Sequence, residues 1–297
     1  MGFTLPRTPR GHRLHTGRGH WLLLAVLAAF IQQAAVAAEC KGTVYLTLDT
    51  GSLAQAERIA DILKKFEVKA TFFLANEKTT RGDYALDNSW ADYWRARVAE
   101  GHSFGSHTWR HGYFREDLAD GQHVLYKPTE GKAESLDATA ICAELNRVNT
   151  AFKKMTGRSL DPLWRAPGGH TTPFSLAAAR QCGYRHVHWA KAGFLGDELP
   201  SDRYPNEALL NKALRDIRDG DVLMMHLGIW SRREPFAPML DPLIAGLKQQ
   251  GFCFAPIMAG TTVTNMPSQN RALKSSPASE PAAVNSPLQR KMAETRS

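Results

Sequence analysis

Between Thr43 and Met258, strand-like and helix-like runs alternate through seven units, and this alternation leaves few folds open. The strand-like runs are TVYLTL, VKATFFLA, HSFGSH, LDPLWRA, YRHVHWA, DVLMMHL and FCFAPIM. After the first comes LAQAERIADILKKFE, with Ile59, Ile62, Leu63 and Phe66 on one stripe and Ser52 placed as N-cap. WADYWRARVAEG follows the second, opened by Ser89 and stopped by Gly101. Further helices are expected from Leu136 to Met155, from Thr172-Pro173 to Gly183, and over NEALLNKALRDIRDG and APMLDPLIAGLKQQG. The Gly- and Pro-bearing stretch before Leu136 is expected to be a loop. Short connections between alternating elements imply parallel strands joined by right-handed crossovers. The fold class is therefore α/β, and an open doubly wound sheet and a closed barrel both satisfy the periodicity.

The flanks have a different composition. Residues 1–38 place Arg7, Arg10, Arg13 and Arg18 before the apolar run WLLLAVLAAFI and the small residues AAVAA, the order of a secretory signal peptide. The apolar run is short for a membrane span, so export to the periplasm or medium is expected, with no stable membrane partner beyond that step. Residues 265–297 are rich in Ser, Pro, Ala and Asn without apolar periodicity and are expected to be disordered. The formal charge of +8 belongs mostly to these ends. The leader holds four arginines and no acid, and the tail a net +3, which leaves +1 for residues 39–264. No basic footprint for nucleic acid remains. That span suffices for one sizeable core. Its four cysteines allow two disulfides in an exported chain, and Cys40 meets Cys253 if the first and last strands are neighbours, leaving Cys142 with Cys182.

In both candidate architectures ligands bind at the carboxyl ends of the strands. Asp49 ends the first strand, His107 and His111 follow the third, Arg165 closes the fourth, and His226 closes DVLMM. Acid, imidazoles and guanidinium from four separate segments thus fall on one rim. His107 and His111, four apart, would face the same way on a helical turn and could share a divalent ion, with Thr108 free to cap that turn. The spacing alone also suits two packed histidines. In WRAPGGH, Pro167 fixes the chain and Gly168 leaves a backbone N–H accessible to an oxyanion, although an ordinary tight turn reads the same way. His226, at the end of a very apolar strand, could do acid work paired with Asp49 across the rim, although a lone histidine there also reads as a satisfied core residue.

The ordered set LTLDTG, SHTWRH, WRAPGG and LMMH resembles the successive motifs of the polysaccharide deacetylases, the NodB-like carbohydrate esterases of family 4, over most of residues 43–257. The resemblance implies a distorted, incomplete (β/α) barrel of about seven parallel strands. It also implies hydrolysis of N-acetyl groups on an amino-sugar polysaccharide, peptidoglycan or an exopolysaccharide, at a divalent ion such as Zn²⁺ or Co²⁺. Carried over by position, Asp49 is the base, His107 and His111 are the metal ligands, and His226 is the acid. Arg165 orients the base, the Gly168 N–H helps hold the oxyanion, and Leu223 lines the acetyl pocket. Thr50 stands where the family places a second, metal-binding aspartate. Weak coordination by Thr50, replacement by His170 or Asp49, or a degenerate sugar-binding protein are the alternatives this opens. Asp197 is a candidate for tuning His226, and Trp109, Tyr113, Trp189 and Trp230 are candidates for stacking on sugar faces.

Overall fold

The structure, a computed structural model, describes residues 39–263 together with Met1 and Gly2. The rest of the expected signal peptide and the tail lie outside the described residues. Strand β1 (Gly42–Asp49) is flanked by helix α1 (Ala56–Lys65), β2 (Thr71–Leu74), α2 (Ala91–Ala99) and β3 (Ser103–Ser106) in chain order. Then come β4 (Tyr113–Asp117), β5 (Val124–Lys127), β6 (Glu134–Leu136), α3 (Ala138–Thr156), β7 (Leu163–Trp164), α4 (Pro173–Gln181) and β8 (Arg185–His186). Helix α5 (Asn206–Asp216), β9 (Val222–His226), α6 (Leu240–Gln249) and β10 (Phe252–Phe254) complete the body that begins at Cys40.

Seven strands form one parallel sheet in the order β10-β1-β2-β3-β7-β8, with β9 paired to β1. Each corresponds to one of the seven strand-like runs. The chain leaving β8 then reaches β9 as irregular backbone: Ala190 N–H donates to Val222 O (3.0 Å) and Met224 N–H to Gly193 O (2.8 Å). This is the distorted, incomplete barrel that the motifs imply. Among the described residues, no helix is long and apolar enough to cross a membrane.

Side-chain alternation divides the strands into two faces. Val44, Leu46 and Leu48 of β1, Phe72 and Leu74 of β2, Phe104 of β3, and Leu223 and Met225 of β9 join Ile59, Leu63, Trp94, Phe152, Leu243 and Ile244 in the helix-covered core. Burying each such side chain is worth about 1.5–3 kcal/mol, so this face sets the register of every strand. The opposite residues, Thr47, Asp49, Phe73, Leu163 and Val222, turn to the interior of the sheet.

Local departures from the sequence reading have local causes. Helix α1 starts at Ala56 rather than after Ser52, because Leu53 sits in the left-handed region (φ 55°) and breaks the helical path. Ser89 does not cap α2; its Oγ donates to Asp83 Oδ2 (2.6 Å), and a short 3₁₀ turn precedes the helix. Asp137 caps α3, and Thr172 closes a capping box on α4. The stretch expected as a loop contains the antiparallel sheet β4-β5-β6, whose strands are short and broken by a bulge between Phe114 and Glu116.

Both disulfides form, Cys40–Cys253 tying β1 to β10 and Cys142–Cys182 tying α3 to the end of α4. Removing the second bridge with Cys142→Ala/Cys182→Ala is expected to destabilise the domain by roughly 2–4 kcal/mol, read from urea denaturation midpoints. An unchanged midpoint would show that the α3–α4 packing holds without the bridge.

Candidate functional site

The site begins with Asp49, the last residue of β1. Its inward register puts it beside Arg165, whose Nη1 donates to Asp49 Oδ1 (2.9 Å) and to Thr47 Oγ1 (2.7 Å). The Arg165 Nε donates to Val187 O (3.1 Å), and the guanidinium lies over the Phe73 ring at 4.3 Å. Arg165 and Asp49 are both buried. Burial works against the charge of Asp49, but Arg165, then His107 and His226, outweigh it and hold the carboxyl below its ordinary value. Burial also pulls Arg165 down, against the pull of Asp49, yet a guanidinium stays protonated in proteins and the pair is ionic.

His107 and His111 are brought together, though not by a helical turn. Thr108 (φ 63°) and His111 (φ 47°) take left-handed backbone, and the loop they form holds the two rings 5.0 Å apart between centroids. Thr108 does bond within the loop, accepting from Gly112 N–H (3.2 Å). The hydrogen-bond network sets both tautomers. His107 Nδ1 faces Arg165 O (2.9 Å), which can only accept, so Nδ1 carries the proton and the lone pair is on Nε2. Thr129 Oγ1 donates to His111 O (2.7 Å) and therefore accepts from His111 Nδ1 (2.9 Å), so Nε2 is the nitrogen left for another partner. Burial takes the His107 pKa down to about 4 even though Asp49 and Glu77 attract its charge, so the neutral ring prevails at pH 7.

His226 enters from β9, where its register partner is Asp49. Asp197 Oδ2 accepts the His226 backbone N–H (2.7 Å), and both its carboxylate oxygens lie 3.2 Å from Nδ1. Burial opposes the imidazolium, but Asp197, Asp49 and Glu198 together push the pKa up to about 10. Because the folded value lies above the ordinary 6.5, the stabilisation from this charge is complete below about 6.5 and is lost as pH rises through about 10. Glu198, which the sequence reading did not single out, approaches His226 Nε2 at 3.8 Å.

Thr50 is engaged on both sides. Its hydroxyl accepts from Ala75 N–H (3.1 Å) and donates to Glu77 Oε2 (2.6 Å), and the same carboxylate oxygen accepts Gly51 N–H (2.9 Å). Gly51 is required at that turn, since its φ is 57° and a Cβ there would lie 2.2 Å from Gly228 O. Glu77 was missed by sequence reasoning. The available signal was its place just past the carboxyl end of β2, on the same rim as the other groups. Burial raises its pKa, but His111, Thr50, His107 and Gly51 bring it below the ordinary value.

Two expected participants stand elsewhere. Leu223 packs in the helix-covered core on the face of β9 opposite His226, because alternate residues of a strand point to opposite sides. Met224, two residues before His226, shares its face. His170 packs edge-on against Tyr113 at 5.5 Å between rings, apart from Asp49. Gly168 holds φ 60°, and a Cβ there would meet Tyr113 at 2.7 Å. Trp230 is 63 % exposed at a cleft of about 420 Å³ that Glu77, Tyr84, Trp109, His111 and Thr129 also line.

Two imidazoles with carboxylates beside them are a donor set that suits Zn²⁺ or a similar divalent ion. Among the described residues, no three or more His, Cys, Asp or Glu side chains stand together as a group that could hold a metal ion as positioned. The closest approaches, His107 Nε2 to Asp49 Oδ2 (3.6 Å) and His111 Nδ1 to Glu77 Oε1 (3.8 Å), are too long for hydrogen bonds. His111 Nδ1 already donates to Thr129, so the residues present fit a small cation by donor type, with the Nε2 atoms as the nitrogens left to meet it.

Residues 37–187 match the family model for polysaccharide deacetylases. The chain belongs to the polysaccharide deacetylase family. It is 23 % identical to the peptidoglycan-N-acetylglucosamine deacetylase of Bacillus cereus, covering 72 % of this chain and 85 % of that protein. To the peptidoglycan-N-acetylmuramic acid deacetylase of Bacillus subtilis it is 26 % identical, over 72 % and 70 %. A cobalt complex of a family 4 acetyl xylan esterase from Clostridium thermocellum shares the fold, with a TM-score of 0.55 and 23 % identity over 72 % of this chain and 87 % of that one. Within this polysaccharide deacetylase, replacing Arg165 by Met leaves Asp49 buried without a counter-charge. Arg165→Met is expected to cost about 3–5 kcal/mol in urea unfolding, and Asp49→Asn added to it to recover part of that loss. A cost below about 1 kcal/mol would mean that Asp49 finds another partner.

Proposed function

We propose that this chain is an exported, metal-dependent N-deacetylase of amino-sugar polysaccharide, with peptidoglycan or an exopolysaccharide as substrate. The observation that carries the reading is the register of β1 with β9, which sets an ionised carboxylate, Asp49, opposite a protonated imidazole, His226. Opposite charge states divide base and acid work between the two groups. Expected disulfides and their presence between distant elements support an oxidising compartment, periplasm or medium.

His107 and His111 would hold the ion through their Nε2 atoms, with Zn²⁺ or Co²⁺ as the proposed metals. When bound, such an ion polarises the acetyl carbonyl and acidifies water. Arg165 occupies Asp49 Oδ1, which leaves Oδ2 to accept the proton of the attacking water. The water oxygen joins the acetyl carbon, and the Gly168 N–H is the proposed donor to the resulting oxyanion. As the C–N bond breaks, His226 passes its proton from Nε2 to the departing amine, while Asp197 holds Nδ1. The products are acetate and a free amino sugar. Trp230, exposed beside the cleft, is the proposed platform for a neighbouring sugar ring.

The test is acetate release from peptidoglycan fragments and N-acetylglucosamine oligomers. Zn²⁺- or Co²⁺-loaded protein is expected to release acetate, chelator to stop it, and Asp49→Asn to lower kcat by at least about 10²–10⁴-fold. No release from any substrate with either metal would replace this reading by the carbohydrate-binding one. A pH profile tests the acid. Asp197→Asn removes the strongest partner of the His226 charge, so the basic limb of kcat/KM is expected to move to lower pH, whereas a merely structural Asp197 would lower the whole profile without moving it.

A further inference from the structure

The position after Asp49 lacks the acid that the motif resemblance leads one to expect, yet a carboxylate stands beside it. We propose that Glu77 is the anionic ligand of the ion held by His107 and His111, and that Thr50 is its positioning residue rather than a ligand. The inference rests on the reading of those two histidines as a metal pair.

Glu77 is held in one orientation. Its Oε2 takes the Thr50 hydroxyl proton at 2.6 Å and the Gly51 N–H at 2.9 Å, so the carboxylate cannot turn without losing both. Its Oε1 takes neither of these bonds and faces His111, at 3.8 Å from Nδ1. That nitrogen already donates to Thr129, so the approach to Glu77 is no hydrogen bond. With Oε2 tied, Oε1 is the oxygen left to a cation in the cleft that Glu77 and His111 both line.

Thr50 is a weaker ligand than the carboxylate beside it, because it is a neutral hydroxyl with its proton and one lone pair already engaged. The hydroxyl has one proton, given to Glu77, and its acceptor side meets the Ala75 N–H at 3.1 Å. The exchange also conserves charge. Asp in place of Thr50 would bring a carboxylate against Glu77 and remove the donor that orients it. Thr50 offers a donor at the place where a carboxylate arrives from the neighbouring strand β2, and the glutamate's extra methylene supplies reach. The site thus keeps one anion beside the two imidazoles, moved from β1 to the segment after β2.

Competition of the full chain with a chromophoric chelator for Zn²⁺ tests this without reference to activity. Wild type is expected to bind one ion, and Glu77→Gln to bind it about 100-fold or more weaker. Thr50→Val is expected to lose about tenfold, the lower range for an outer partner. Thr50→Asp alone is expected to gain nothing, because two carboxylates then compete, whereas Thr50→Asp combined with Glu77→Gln restores binding towards wild type. Circular dichroism of the metal-free proteins checks folding. Should Glu77→Gln fail to fold, the Co²⁺ absorption bands of Glu77→Asp serve instead and are expected to shift. Unchanged Zn²⁺ affinity in Glu77→Gln, with binding lost in His107→Ala, overturns the role of Glu77 and leaves the histidine pair standing; unshifted Co²⁺ bands overturn it too. Wild type that takes up no Zn²⁺ overturns both.

Discussion

A buried ion pair inside a parallel sheet organises this molecule. Asp49 and Arg165 come from β1 and the end of β7, which two other strands separate in the sheet, and both are buried where they meet. Such a pair is a poor source of net stability, because desolvating two ions consumes most of what their attraction returns. It does set geometry. With Oδ1 held by Arg165, Oδ2 points at His107, and the Arg165 backbone oxygen holds the Nδ1 proton of the same histidine. One residue thereby fixes the base directly and the tautomer of a proposed ligand through its main chain.

The remaining polar groups are supported in the same manner, each by an element distant in sequence. Asp197 precedes β9 by a long connection yet binds both the backbone and ring of His226. Thr129 follows β5 and sets the ring of His111, which gives the small antiparallel sheet a reason to exist: it delivers that hydroxyl. The sheet is anchored by Glu144, which accepts from Arg110 Nε (2.6 Å) and from the Tyr126 hydroxyl (3.1 Å). Glu77 and Thr50 follow the same pattern across β2 and β1. Side chains whose rotamers are locked by second partners hold a site within the tolerance that proton transfer needs.

The frame was legible because its signals are local. Seven apolar runs and the stripes between them state which faces are buried, and the register of each strand follows once one face must meet the helices. The site was legible to the extent that polar residues end those runs: Asp49, His107, His111, Arg165 and His226 all stand on the same rim. What escaped is what depends on pairing between segments. Glu77 carries no motif of its own and gains its place only when β2 lies beside β1. Leu223 was assigned to the acetyl pocket, but strand alternation sends it to the outer core and puts Met224 on the face of His226. The helical turn expected for His107 and His111 gave way to left-handed backbone, a tertiary demand that spacing cannot announce.

By itself, then, the sequence determined the α/β class, the number of parallel strands and the set of side chains at their ends, because period and residue type are properties of short stretches. The tertiary structure alone decided which of those side chains hold one another, which protons they carry, and which carboxylate stands against Thr50. Those questions turn on distances of about 3 Å between residues far apart in the chain, such as the 2.9 Å from Asp49 Oδ1 to Arg165 Nη1 across 116 positions. No pattern along the chain encodes such distances until the sheet has closed the gap.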